Sequence, residues 1–111
     1  MPEHLLVITT VGNEDDARKV AKSLVERRLV ACVNVSEPVR SFYHWKGNLE
    51  DDSEHMLFMK TRADLFPDLE IAIGEIHPYD VPELIAVPIE RGSTAYLGWI
   101  DENVAKPSGG S

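Results

Sequence analysis

A chain of 111 residues and 12.4 kDa, 43% hydrophobic and 27% charged, has room for one packed core and excludes two-domain, collagen-like and coiled-coil architectures. Nineteen acidic against eleven basic residues give a formal charge of -8, which repels nucleic acid and anionic membranes at long range, so neither is an expected partner. The single cysteine, Cys32, rules out an internal disulfide and a thiolate zinc cluster within one chain. With no basic or long apolar segment at the N-terminus, the expected compartment is the cytoplasm.

From His4 to Val11 the run is nearly all apolar or β-branched, the pattern of a strand at the centre of a sheet. Gly12-Asn13 turns the chain, and Asn13 caps a helix that opens on Glu14, Asp15 and Asp16 and ends near Arg27 and Arg28, matching the macrodipole at both termini. Its buried face is read as Ala17, Val20, Ala21, Leu24 and Val25, spaced by three and four. A second strand, Val30 to Val35, breaks at Glu37-Pro38 and resumes from Val39 to Lys46. There Val39, Ser41, Tyr43 and Trp45 share one face, and Arg40, Phe42 and His44 the other.

Gly47-Asn48 is read as the tight turn of a hairpin whose return strand runs to Thr61. The intervening Glu50, Asp51, Asp52 and Glu54 read as a solvated ribbon tip. Asp64 is placed as the cap of a second helix, with Pro67 in its first turn and Leu65, Leu69, Ala72, Ile73 and Ile76 inward. Pro78 ends that helix. A fourth strand, Glu83 to Ile89, holds Pro88 and so belongs at a free edge or a bulge. Ser93 caps a last helix carrying Tyr96, Leu97, Trp99, Ile100 and Val104.

The order βαββαβ plus a terminal helix, with right-handed crossovers, predicts an α+β ferredoxin-like sandwich over residues 1–105 and a flexible tail over 106–111. Residues 30 to 46 as one strand would reach about 55 Å, against about 35 Å for a globule of this size, so the hairpin overshoots its own core. An isolated ribbon bearing Tyr43, Trp45, Met56 and Phe58 is marginal in water, so a neighbouring subunit is the expected cover. The alternative is that the Glu37-Pro38 break folds the ribbon back onto its own sheet.

No phosphate loop, dinucleotide fingerprint, nucleophile elbow or zincin motif is present, so enzymatic activity is not expected. His4, His44, His55 and His77 are scattered, with no i, i+4 pair to hold a metal. Under the Gly47-Asn48 turn, His44 faces Asp51 and His55 faces Arg40. Cys32, in an apolar strand, reads as a small packing residue.

More specific is the succession Leu29-Val30-Ala31-Cys32-Val33-Asn34, Ser41-Phe42-Tyr43-His44-Trp45-Lys46-Gly47, Lys60-Thr61, His77-Pro78-Tyr79-Asp80-Val81-Pro82-Glu83-Leu84, Pro88-Ile89 and Tyr96-Leu97-Gly98-Trp99-Ile100. Together these segments resemble the CutA divalent-cation tolerance family, over about Leu5 to Val104. The resemblance implies a non-enzymatic homotrimer whose long hairpins pair between subunits, similar in architecture to the nitrogen-regulatory PII proteins. It also implies tolerance of divalent ions, copper above all. Some members bind copper through a Cys late in the first strand and a His-His pair before Pro-Tyr. Those positions here are Thr9, Ile76 and His77, so only His77 is left as a metal ligand and any copper or other divalent cation is expected to bind weakly. Trp45, Lys60, Tyr79 and Glu83 are expected to line a pocket shared between subunits, because one chain is not expected to bring all four together. Lys60 and Glu83 would form a partly buried ion pair there, and by analogy with PII the pocket would take a small anionic ligand.

Overall fold

The computed structural model describes residues 3–108. Five strands and three helices follow one another as β1 (His4–Val11), α1 (Glu14–Glu26), β2 (Cys32–Val35), β3 (Val39–Trp45), β4 (Asn48–Arg62), α2 (Phe66–Ile76), β5 (Ile85–Pro88) and α3 (Thr94–Asn103). All pairings are antiparallel, in the order β2-β4-β1-β5, and β3 continues the ribbon along the far half of β4. This is the expected α+β arrangement, with β1 central.

Odd-numbered side chains of β1 and β4 point to one side of the sheet. Val7, Val11, Leu57 and Met59 meet Ala17, Val20 and Leu24 of α1 and Leu69, Ala72 and Ile73 of α2 there, in one core. Val25 stays 41% exposed, so the inward stripe of α1 is narrower than its spacing implied. On the even side the strands align Ile8 with Phe58 and Ile85, and Leu6 with Val87, an apolar strip that remains partly open. Near one end of that side Asp101 of α3 accepts from Arg62 at 2.6 Å and meets His4 at 2.8 Å, and Ile100 is fully buried.

Asn13 caps α1 as expected, accepting the Asp16 N–H at 2.8 Å, and Ser93 caps α3 through the Tyr96 N–H at 3.1 Å. Asp64 is not a cap. The chain enters α2 through a short 3-10 turn over Ala63–Leu65, which takes Asp64 inside the turn, and its carboxylate binds the Arg62 guanidinium at 3.2 Å instead. The strand expected over Glu83 to Ile89 is the shorter β5, which lies at the sheet edge, where Ile89 still donates its N–H to the His4 carbonyl at 3.0 Å. Ser108 donates to Asp68 from both its N–H and its hydroxyl, while 109–111 of the expected tail lie outside the described residues.

The hairpin turn is Lys46-Gly47, not Gly47-Asn48. Both residues have positive φ, 51° and 83°, and Trp45 pairs with Asn48. Two residues with positive φ make the mirror-image turn that suits the twist of the strands, and glycine at the second position takes it without strain. The register therefore slips by two: His44 faces Leu49, and His55 leaves the ribbon to pair with Val11. A slip of two keeps every side chain on its face. Between β2 and β3, residues 36 to 38 lie opposite only His55 and Met56, a bulge closed by Ser36, whose N–H donates to the Met56 carbonyl and whose Oγ accepts the Met56 N–H. Beyond it the ribbon runs on, giving overall extents of 44 × 28 × 27 Å and leaving Phe42 65% and Leu49 68% exposed. Gly47→Ala places a Cβ in the left-handed region and is expected to cost about 1 to 2 kcal/mol. Urea unfolding followed by circular dichroism would measure it, and an unchanged midpoint would show that the turn does not hold the ribbon.

Candidate functional site

A cavity of about 640 Å³ runs along the odd-numbered face of β3 toward the end of β1 and the loop after α2. The ribbon supplies Tyr43, Trp45 and Glu54 to its walls. The loop, stiffened by Pro78 and Pro82, supplies Tyr79, Asp80 and Glu83. None of the lining residues is basic.

Tyr79 ties the walls together. Its hydroxyl donates to Glu54 Oε2 at 2.9 Å, its backbone N–H donates to His77 Nδ1 at 3.1 Å, and its ring meets the His77 ring edge-on with centroids 4.8 Å apart. Gly12 makes room for it, since a Cβ there would lie 2.9 Å from the Tyr79 oxygen. Burial, reinforced by the bond to Glu54, raises the Tyr79 hydroxyl well above the ordinary phenol range, so it stays a donor. Beside it Tyr43 donates to Asp52, and that bond pushes the Tyr43 pKa up to about 12.

Glu54 departs from its reading as a ribbon-tip charge. It is 5% exposed, and its Oε1 has no donor among the described residues. No sealed side-chain oxygen or nitrogen there lacks a partner, so Oε1 opens onto the cavity.

His77 is 7% exposed and fully engaged. Because Nδ1 accepts the Tyr79 N–H, the ring proton sits on Nε2 and donates to the Thr10 carbonyl at 2.8 Å. As arranged, neither ring nitrogen offers a free lone pair to a metal. Of the neighbouring positions, Thr9 is fully buried and donates its hydroxyl to the Glu83 carbonyl at 2.6 Å, and Ile76 packs against the core. No group of three His, Cys, Asp or Glu among the described residues is spaced to hold a metal ion. Cys32 is a free, half-buried thiol.

Of the four residues expected to share a pocket, the structure brings Trp45, Tyr79 and Glu83 together within one chain and leaves Lys60 out. Lys60 pairs with Leu6 along the strands, whereas the Glu83 backbone sits at Thr9, and the Lys60 ammonium donates to Asn34 across β2 and β4. Within a chain there is thus no Lys60–Glu83 ion pair. Glu54 and Tyr43, which the sequence reading did not place here, complete the walls. The signal for Glu54 was its even position in line with Met56 and Phe58, obscured by the acidic run around it.

Tyr79→Phe keeps the ring packing but removes the only donor among the described residues to a nearly buried carboxylate, and is expected to cost about 1 to 3 kcal/mol in urea unfolding. A loss below about 0.5 kcal/mol would mean that Glu54 is satisfied otherwise. Burial lowers the His77 pKa from its ordinary 6.5, so the unfolded chain binds the proton more readily. That contribution to stability is complete above pH 6.5 and is lost as the pH falls through the folded value. His77→Gln should therefore flatten the dependence of Tm on pH between 6.5 and about 5, above the range where carboxylates titrate. Parallel curves for the two proteins would contradict it.

Residues 5–103 match the model of the CutA1 divalent ion tolerance protein family. The chain is 45% identical over 98 residues to the divalent-cation tolerance protein CutA of Thermus thermophilus, covering 88% of this chain and 95% of that one. Against protein CutA of Homo sapiens it is 44% identical over 91 residues, 82% of this chain, and it spans about half (51%) of that relative's length. The crystal structure of CutA1 from Oryza sativa superposes with a TM-score of 0.91 at 35% identity, covering 95% of this chain and 96% of that one. Fold, motifs and relatives agree: this chain belongs to the CutA1 divalent ion tolerance protein family.

Proposed function

We propose that the protein acts without catalysis in divalent-cation tolerance, as a cytoplasmic homotrimer whose acidic groove gathers cations weakly. The observation that carries this reading is the charge of the groove: Glu54, Asp80 and Glu83 line it and no Lys, Arg or His does. Carboxylate and phenol oxygens are hard donors, so copper or another divalent cation is held loosely and with little selectivity. His77 joins as a ligand only by releasing the Tyr79 N–H, which couples any metal binding through it to opening of the 77–79 loop. The same charge counts against the alternative, a PII-like sensor for a small anion, which would need Lys60 delivered from a neighbouring chain.

The trimer is supported by the exposed apolar residues of the ribbon and by the open strip of Leu6, Ile8, Ile85 and Val87 on the sheet. The cytoplasm is supported by the single free Cys32. Similar proteins differ in this respect: one from Archaeoglobus fulgidus is described as periplasmic and one from Arabidopsis thaliana as chloroplastic. No described helix is long and apolar enough to cross a membrane.

Light scattering at micromolar concentration should report three chains, and added salt should firm the assembly by screening subunits of charge -8 each. A monomer would refute the trimer. Calorimetry should find Cu(II) bound no tighter than micromolar, and several-fold weaker in the double variant Asp80→Asn with Glu83→Gln. Nanomolar affinity, or affinity indifferent to that double change, would remove the groove as the site.

A further inference from the structure

Metal ions do not exhaust what this groove accommodates. Its 640 Å³ far exceeds a single ion, four of its eleven lining residues are aromatic, and its carboxylates are not gathered for coordination among the described residues. At one end the Glu54 carboxylate is almost wholly buried, takes one bond from a neutral phenol, and has no cationic partner among the described residues. An isolated buried carboxylate is costly, and the favourable remedy is a cation that donates hydrogen bonds to it. Its open oxygen, Oε1, faces the cavity. Farther along lie the ring faces of Tyr43 and Trp45, and the Trp45 ring already draws an ammonium: Lys46 Nζ stands 5.9 Å from its centroid.

We infer that the groove is a binding site for a small alkylammonium ligand, its primary ammonium donating to Glu54 Oε1 and its alkyl chain lying against Tyr43 and Trp45. This rests on the reading of the groove as a cation site and names the class of cation. Asp80 and Glu83, at the rim of the loop, add long-range attraction without fixing a pose. An anion is disfavoured by all three carboxylates, and a neutral ligand leaves Glu54 uncompensated. The competing occupant is Lys60 from a second copy of the chain, which would bring its own ammonium.

The test uses the full chain and n-butylammonium chloride, with 1-butanol as a neutral partner of similar shape, read by the indole N–H resonances of Trp45 and Trp99. Butylammonium should shift the Trp45 signal saturably while leaving that of Trp99 unchanged, and 1-butanol should bind at least tenfold more weakly. Glu54→Gln should weaken butylammonium at least tenfold. Should that variant fold poorly, the surface change Trp45→Leu, with binding followed on the Tyr79 amide, should weaken it several-fold. Equal binding of the two probes, or no saturable shift at all, overturns the proposal. Binding that emerges only in Lys60→Met also overturns it, by showing that a neighbouring lysine fills the groove. If butylammonium fails while Cu(II) still titrates the groove, the alkylammonium assignment falls and the cation site stands. Failure of both removes both.

Discussion

The hydrogen bond from Tyr79 to Glu54 joins parts of the molecule that otherwise have little reason to meet. Glu54 stands where the ribbon leaves the sheet, and Tyr79 belongs to the loop that returns the chain from α2 to β5. Through His77, the same loop reaches the carbonyl of Thr10 near the end of β1. Each bond satisfies a group that would be expensive to bury alone: a carboxylate, an imidazole, a backbone N–H. Because they share Tyr79 and His77, the root of the ribbon, the end of the central strand and the loop hold one geometry or lose it together.

Much of the fold was legible because the apolar periodicities were strong and the end signals local. Asn13 and Ser93 sit in the residue type and position a helix start needs, and the alternation in β3 assigns its faces whatever the turn does. Asp64 misled because a nearby guanidinium offers a carboxylate more than one backbone N–H does, a competition that only the fold reveals. The turn misled because Lys46 carries no mark of left-handed backbone, and a pairing that takes Lys46 and Gly47 as the turn outweighs the modest strain at one lysine.

The groove was half legible for a different reason. Trp45, Tyr79 and Glu83 stand out as aromatic and acidic residues in short, unusual segments. Glu54 is hidden in an acidic run, and its burial depends on a tyrosine 25 positions away in the chain. His77 shows the reverse: the resemblance implies a metal ligand, while the hydrogen bonds on both of its nitrogens depend on a loop and a strand end that only the fold brings together. Lys60 was grouped with the others as members of a pocket shared between chains, and its place on β4, beside Leu6, keeps it from the loop of its own chain.

The sheet edge formed by β5 is a poor template for fibre growth. Ile89 donates its N–H inward to His4, so by the alternation of strand backbone the nitrogen of Pro88 points outward, where a further strand would need a donor. Proline has none to give. A chain with two receptive edges stacks without limit, and a four-residue strand ending in proline withdraws one of them. Strand-to-strand addition is thereby left to the opposite side of the sheet, where β2 and the ribbon strand β3 lie.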